Sequence, residues 1–515
     1  MTTAERPRRF IVIPKDGLTD DTSSPAKTAR LLTAPVITAA RAGHPATPRS
    51  AVANAGGTVH KQTPPALTIV NTAPSDGSVL LDADHVSLDE VKAWVPEGAQ
   101  VFEEQWYPLQ RARGPWQTLR APARSARRGR ATAFEWTVTV RVAGQRPRLL
   151  GDALVTAMLD ERQGIGLSAT TDRYGRAQFS FDRQPDAIEA LYIDPLHSGW
   201  PARWPMVAVN ADGFEAHVPS IDAHAPDARG LIYGLPDKEA GEQVRVGVVD
   251  TGVGPHEALS LQGGRNTTEE QPRRWRDWDG HGTHVAGVIA AVAEGWRRGE
   301  ASRAQLYAYR IFEDGVDEAS TFAIAAAIKQ AALDGCDLVN LSIGGSVADG
   351  AVRDAIEQAW GLGCVCIAAT GNEGHASIAY PARYAKAVAV SAIGLRDSWP
   401  PGAYLDWTLS TRTGKTLAGH PSFFASFANR GDKVALTAPG VAIVSTIPND
   451  RWGVMSGTSM ATPIATGVLA RRLTGHAILK MPRDEHRSHA IVELALQHAE
   501  DLGLPPTMQG RGLAR

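Results

Sequence analysis

Three short glycine-containing strings carry the residue types of an activated serine nucleophile. Ser459 lies in S-G-T-S-M-A-T-P, Asp250 in V-V-D-T-G and His281 in D-G-H-G-T-H-V-A-G. A serine hydroxyl attacks a carbonyl group efficiently only when a base takes its proton, and a histidine oriented by a carboxylate is such a base. Each residue alone is equally well explained as a turn residue or a helix start. The three together, in a chain order known for such triads, favour catalysis.

A side-chain amide, Asn372, follows a predicted strand in A-A-T-G-N-E-G. Together with the backbone N–H of Ser459 at a helix start, this amide is predicted to stabilise the negative charge that develops on a carbonyl oxygen. We interpret His284 as structural, and Asp277 with Asp279 as a solvated loop rather than a metal site. We predict no metal and no cofactor.

The elements that position these residues begin at about Ser220. From there on, short apolar strands alternate with helical patterns, which is typical of a parallel sheet with helices on both faces. Asp250 lies where the strand V-R-V-G-V-V-D ends, and active sites in such sheets gather at the carboxyl ends of the strands. His281 stands just before a helix predicted from Thr283, and Ser459 begins another predicted helix, so both side chains can face one cleft.

The part of the chain before Ser220 shows different patterns. A strand at F-I-V-I-P, two further strands, a helix with Ser87 as N-cap and a last strand predict a small ferredoxin-like unit. Alternating runs such as F-E-W-T-V-T-V-R-V predict a β-sandwich. The predicted units are the ferredoxin-like unit at 1–119 with a Pro/Ala/Thr-rich insertion at about 15–65, a basic linker at 120–131, the β-sandwich at 132–203, a second linker at 204–219 and the α/β domain at 220–515.

Length and charge limit the classes of function. The chain has 515 residues, and its 53 Lys and Arg nearly balance its 55 Asp and Glu. This suggests about three domains and gives no electrostatic reason to expect nucleic acid or membrane as a partner. The N-terminal apolar run is too short for a secretory signal and no run is long enough to span a bilayer, so we expect a cytoplasmic location. Cys336, Cys364 and Cys366 are expected to be buried free thiols.

The motifs around Asp250, His281, Asn372 and Ser459 resemble those of the subtilisin-like serine proteases, the subtilases, from about Ser220 to the C-terminus. The resemblance implies an α/β fold, a three-layer α/β/α catalytic domain with a mostly parallel sheet, and an endopeptidase activity. It also implies that Asp250, His281 and Ser459 form the catalytic triad and that Asn372 contributes to the oxyanion hole.

The same resemblance implies a substrate cleft and a cis peptide bond at Tyr380-Pro381. One wall of the cleft would pair with an extended peptide as an added strand, and the other would close the main specificity pocket. The residues implied for the two walls are Ser342, Ile343 and Gly344 on the first, and Ala369, Thr370 and Gly371 on the second.

Three features depart from the family pattern. Residues 396–420 form a longer connection than usual, which could cover the cleft or serve as a docking loop. The N-terminal unit resembles the propeptide that folds and inhibits many subtilases, but the β-sandwich separates it from the catalytic domain. The β-sandwich resembles accessory domains that present a surface to a partner protein.

The sequence thus predicts a serine endopeptidase that cleaves protein or peptide substrates through an acyl-enzyme intermediate. The missing export signal and the two additional domains favour an intracellular processing or regulatory role, with the N-terminal region restraining the enzyme, over general degradation. The alternative is a catalytically idle protein of subtilase fold that binds peptides or serves as a scaffold.

Overall fold

The computed structural model describes three parts of the chain: an N-terminal α+β unit, a β-sandwich and a large α/β domain. The residues described are 7–14, 37–38, 67–83, 86–95, 98–112, 114, 116, 119, 134–222, 224–236, 238–268, 273–292, 299–374 and 377–515. The predicted basic linker, and the predicted insertion apart from residues 37–38, therefore lie outside the described residues. Within the described ranges, no helix has the length and apolar character needed to cross a membrane.

The N-terminal unit is a sheet with one described helix on its face. The sheet order is β2-β3-β4-β1-β5, and β1 is antiparallel to both of its neighbours. Ser87 and Glu90 form the predicted N-terminal cap, because the Ser87 side chain accepts from the Glu90 amide and the Glu90 carboxylate accepts from the Ser87 amide. The elements are β1 Arg9–Ile13, β2 Ile37–Thr38, β3 Leu67–Thr72, β4 Val79–Asp82, α1 Leu88–Trp94, β5 Gln100–Glu103 and, outside this sheet, β6 Trp106–Pro108.

The β-sandwich consists of two sheets whose inward-facing apolar side chains form a core of their own. One sheet has the order β10-β9-β12-β13, and the other has the order β11-β7-β14 with β8 beside β7. The strands are β7 Phe134–Val142, β8 Arg148–Leu149, β9 Ala153–Asp160, β10 Ile165–Thr170, β11 Arg176–Phe181, β12 Ala187–Pro195, β13 Ala202–Ala208 and β14 Phe214–Val218.

The predicted linker at 204–219 is wrong, because β13 and β14 occupy most of it. Pro205 interrupts the alternating pattern of β13, and Met206 beside it is 68% exposed. A proline is tolerated there because β13 is the edge strand of its sheet. β14 pairs in parallel with β7, more than seventy residues earlier in the chain, and local sequence does not reveal such a pairing.

The α/β domain is built on a mixed sheet of order β16-β17-β15-β19-β20-β21-β23-β22, with β24 also paired to β21. The pairs from β16 to β21 are parallel, as is β21 with β24, whereas β22 and β23 are antiparallel. The strands are β15 Arg245–Asp250, β16 Leu261–Asn266, β17 Gln305–Arg310, β18 Glu318–Ser320, β19 Leu338–Leu341, β20 Val365–Ala369, β21 Ala387–Leu395, β22 Thr413–Leu417, β23 His420–Phe424, β24 Val434–Pro439, β25 Ile443–Ile447 and β26 Arg451–Met455.

Helices cover both faces of this sheet, which confirms the predicted three-layer arrangement. Helices α3 and α6 contribute to one apolar core, and α4 and α5 contribute to a second core on the other face. Ile11, Leu80 and Tyr107 of the N-terminal region belong to this second core. The helices are α2 Ala228–Tyr233, α3 His281–Ala290, α4 Thr321–Leu333, α5 Gly350–Gly361, α6 Thr458–Leu473, α7 Glu485–Gln497 and α8 Pro506–Gln509.

The long connection at 396–420 contains the hairpin strand β22 and joins it to β23 at the edge of the main sheet. Before the hairpin, Tyr404 and Trp407 lie against aromatic residues outside the α/β domain. The connection therefore serves as a docking element within the chain. The Tyr380-Pro381 peptide bond is cis, as the resemblance implied. All three cysteines are buried free thiols, which confirms that prediction.

Candidate active site

Asp250 and His281 form a fully buried pair. Asp250 is the last residue of β15 and His281 the first of α3, and the His281 Nδ1 to Asp250 Oδ1 distance is 2.8 Å. Gly282 makes this approach possible, because a Cβ there would lie 2.1 Å from the Gly252 carbonyl oxygen. The carboxylate thus orients the imidazole ring. His281 Nε2 has no hydrogen-bond partner among the described residues.

Asp277 fixes the turn that precedes α3, which contradicts the expectation of a solvated loop. Its buried carboxylate accepts hydrogen bonds from the Thr251 hydroxyl, the Gly280 amide, and both the amide and the hydroxyl of Thr283. Burial raises its pKa, against the effect of these donors. Asp279, also largely buried, accepts from the His281 amide and forms an ion pair with Arg111. These contacts were missed because the turn before α3 folds its own amides and the Thr283 hydroxyl onto the carboxylates, and because Thr251 and Arg111 reach them from distant strings.

His284 lies one turn further along α3 and has the structural role that was predicted. Its Nε2 atom is 3.0 Å from the Ile443 carbonyl oxygen. Burial lowers the pKa of His284 to about 3, so the ring is neutral and donates to that carbonyl at physiological pH. No group of three or more His, Cys, Asp and Glu suited to a metal ion occurs within the described ranges.

Ser459 lies in the first turn of α6 and is buried. Its hydroxyl donates to the backbone carbonyl oxygen of Gln110 at 2.7 Å and lies 3.2 Å from that of Ser342. The nucleophile candidate therefore contacts a peptide group from the N-terminal part of the chain. Its hydroxyl donates to these carbonyls and not to His281 Nε2.

Asn372 is oriented by the residue before Ser459. Its Oδ1 atom accepts from the amide of Thr458 at 2.8 Å and from the hydroxyl of the same residue at 3.0 Å. This leaves Nδ2 buried and without a partner among the described residues. The first amides of a helix also lack acceptors within the helix, so the start of α6 supplies further donors. The donors converge, since a Cβ on Gly457 would lie 3.5 Å from Asn372 Nδ2 and 3.6 Å from the Ser459 nitrogen.

Residues 106–112, called the cleft segment below, run through the site as an added strand. β6 pairs antiparallel with β18, and Leu109 forms an antiparallel bridge with Ile343. The Leu109 amide donates to the Asp317 carbonyl at 2.7 Å. The strand β18, together with Ile343 just after β19, therefore holds the segment by its backbone, as in peptide recognition by strand addition. Sequence reasoning missed this segment, whose W-Y-P-L-Q-R run has no catalytic motif.

The residues implied to line the cleft lie around this segment. Ser342, Ile343 and Gly344 follow β19, and the Gly344 carbonyl oxygen accepts from the Gln110 side chain at 2.9 Å. Ala369, Thr370 and Gly371 end or follow β20. Ala379 connects the two walls: its amide donates to the Thr370 carbonyl at 2.9 Å, and a Cβ on Gly344 would lie 3.1 Å from its methyl group. The Gln110 side chain thus lies against Gly344, next to Ala379.

Comparison with known proteins identifies the family of the α/β domain. The model of the subtilase family matches residues 241–512. M-protease of Shouchella clausii is 31% identical over 315 residues, which cover 61% of this chain and 73% of that protein. Subtilisin BL of Lederbergia lenta is 34% identical over 252 residues, covering 48% and 80% respectively. The chain belongs to the subtilase family and is a subtilisin-like serine endopeptidase.

Proposed function

We propose that Asp250, His281 and Ser459 act as the catalytic triad. The Ser459 Oγ atom attacks the carbonyl carbon of the substrate and forms a C–O bond, while its proton passes to His281 Nε2. Asp250 stabilises the imidazolium that results. His281 then gives the proton to the leaving amine as the C–N bond breaks, and a water molecule hydrolyses the acyl-enzyme by the same route in reverse order. Two observations support these roles. His281 Nε2 has no hydrogen-bond partner among the described residues, and His281 Nδ1 lies 2.8 Å from Asp250 Oδ1.

In this mechanism Asn372 Nδ2 and the Ser459 amide donate to the carbonyl oxygen as it becomes negative. A buried donor that has no partner before the reaction needs no reorganisation when the charge develops, which is why it stabilises the transition state more than the substrate. The Ser342–Gly344 wall pairs with the substrate backbone. The Ala369–Gly371 wall closes the pocket for the side chain before the scissile bond.

The N-terminal region is proposed to restrain the enzyme as a propeptide. The observation that carries this proposal is the 2.7 Å contact of the Ser459 hydroxyl with the Gln110 carbonyl. The carbonyl group of the Gln110–Arg111 peptide bond therefore lies at the nucleophile. In the uncut chain the cleft segment thus occupies the enzyme's own cleft. We propose that cleavage of this bond begins activation. The Gln110 carbonyl oxygen accepts a hydrogen bond from the Ser459 hydroxyl and none from Asn372. The cleft segment must therefore shift before the Gln110–Arg111 peptide bond breaks.

Contacts away from the cleft also hold the N-terminal unit. The Lys329 ammonium group of α4 forms an ion pair with Asp76, and both side chains are almost completely buried. Phe102 lies directly over Gly350 at the start of α5, where any side chain would clash with its ring. An endopeptidase restrained in this way suits a processing or regulatory role. The predicted cytoplasmic location stays a prediction, as does a partner protein at the β-sandwich.

A fluorophosphonate probe tests the catalytic role, because it reacts covalently with activated serine hydroxyls. The processed protein should be labelled at Ser459, and Ser459→Ala should lose the label. Ser168→Ala, which removes an exposed hydroxyl from the β-sandwich, should keep it. Peptide binding without cleavage and without labelling would support the idle scaffold instead.

A further inference from the structure

An aromatic cluster joins the β-sandwich to the α/β domain just beyond the cleft segment. Trp116, only 4% exposed, stacks on Tyr192 with ring centroids 4.1 Å apart and planes 8° apart. Tyr404 and Trp407 close around it at 5.8 Å and 5.9 Å, Trp407 edge-on. Stacked and edge-to-face aromatic pairs add specific attraction to the burial of apolar area. We call Tyr192, Tyr404 and Trp407 the aromatic clamp.

Contacts that do not involve Trp116 hold the clamp together. The Tyr192 hydroxyl accepts from Arg203 Nε at 3.0 Å, and the same guanidinium group lies 5.6 Å from the ring centre of Tyr404. Trp407 packs on Phe427 of the α/β domain with ring centroids 5.8 Å apart. Both domains therefore contribute to the clamp, and it is positioned independently of its occupant.

A cavity of about 410 Å³ leads from the scissile bond toward the clamp. It begins beside Arg111 and Ala112, the first two residues after the proposed cut, and ends at Trp116. A cavity of this size is typical of ligand-binding pockets. Both the sandwich and the α/β domain line it, the first with Asp152, Leu154 and Pro195 and the second with Met455 and Met460.

We propose that the aromatic clamp is a substrate-binding subsite for an aromatic side chain six residues after the scissile bond. Trp116 fills it in the uncut chain, and a substrate fills it when Trp116 leaves. The proposal rests on the proposed cut at Gln110–Arg111, from which Trp116 is the sixth residue. It assigns the β-sandwich to substrate selection, because this domain supplies Tyr192 and one wall of the cavity.

Peptides with the chain's own sequence from 105 to 119 test the subsite in processed Trp116→Ala enzyme, whose clamp is empty. One peptide has tryptophan at the position of residue 116 and the other has alanine. HPLC gives kcat and KM for each. We expect KM to be about tenfold lower for the tryptophan peptide at unchanged kcat, since burial and stacking of one indole ring are worth at least that factor. Equal KM values would overturn the proposal.

Enzyme variants locate the effect. Adding Tyr192→Ala should abolish the preference for the tryptophan peptide. Tyr174→Ala, which removes a half-exposed tyrosine of the same sandwich outside the clamp, should keep it. A preference that survives Tyr192→Ala would place the subsite elsewhere. If Trp116→Ala prevents folding, Trp116→Leu repeats the comparison, and a KM ratio of one would again overturn the proposal.

An anilide substrate that ends at the position of Gln110 separates this proposal from the proposed function. It has no residues that reach the clamp, so all of these variants should cleave it equally well. Loss of anilide cleavage in every folded variant and in the wild type would refute the catalytic role itself. Normal anilide cleavage without discrimination between the two peptides would refute only the subsite.

Discussion

The two halves of the cleft hold the same segment in different ways. Before the proposed scissile bond, residues 106–110 are held by strand pairing with β18 and with Ile343. After it, the chain is held by two side chains: Arg111, in an ion pair with Asp279, and Trp116, in the aromatic cluster. Backbone pairing accepts many sequences, whereas side-chain contacts discriminate. The difference indicates that strand pairing supplies much of the affinity in the first half, and that side-chain contacts after the bond add to the selectivity of the proposed pocket before it.

Two side chains also anchor the first half. Gln110 donates to the Gly344 carbonyl, and Tyr107 is 1% exposed, with its hydroxyl donating to the Val347 carbonyl at 2.9 Å. Tyr107→Ala, in an uncut Ser459→Ala chain, should reduce the opening free energy of the Leu109 amide by about 3–5 kcal/mol through lost packing. Tyr107→Phe should cost only about 1 kcal/mol, the worth of one hydrogen bond. Hydrogen exchange measures both. Equal losses would show that the hydroxyl, and not burial, anchors this half.

Asn372 lies between the halves and should serve both equally. Asn372→Leu should lower kcat by about 10²- to 10³-fold, the loss measured when such a donor is removed in subtilisin. KM should change little, because the donor acts on the transition state. The anilide and the extended peptide should show the same loss. A loss confined to the extended peptide would mean that Asn372 contacts the part of the substrate that lies after the scissile bond.

The Arg111 to Asp279 ion pair should give the smallest effect, since the Arg111 side chain is about one-third exposed. Asp279→Asn keeps an oxygen acceptor for the His281 amide. This substitution should raise the activation free energy for cleavage of the uncut chain by no more than about 1 kcal/mol, which lowers the rate about fivefold. It should also weaken the dependence of that rate on salt concentration. Glu215→Gln, at an exposed ion pair of the sandwich, should leave the rate unchanged. An unchanged salt dependence in Asp279→Asn would show that this ion pair does not contribute to cleavage of the uncut chain.

The sequence predicted the α/β domain better than the chain's own occupation of its cleft. The strand that ends at Asp250 and the helices that begin near His281 and Ser459 have local signals: continuous apolar runs, glycines and helix starts. The contacts of Gln110 with Gly344 and with Ser459 join residues more than two hundred positions apart. No local pattern encodes them, so the cleft segment emerged only from the fold.

Burial explains the other differences between prediction and structure. Asp277 looked like a solvated acid because charged residues are mostly exposed, yet the Thr251 hydroxyl and the turn before α3 donate to it in the interior. Trp116 was assigned no role within the predicted unit at 1–119, and only the fold brings Tyr192 and Tyr404 around it. For Trp116 the decisive partners come from distant parts of the chain, whereas for Asp277 they come from its own turn and from Thr251.

Mass spectrometry of the newly made chain shows whether the enzyme cuts its own Gln110–Arg111 bond. Wild-type protein should yield a fragment that begins at Arg111, at a first-order rate independent of protein concentration, because the bond lies at the nucleophile of the same molecule. Ser459→Ala should remain intact under the same conditions. A wild-type chain that cleaves peptides while its Gln110–Arg111 bond stays whole would contradict self-cleavage at this bond.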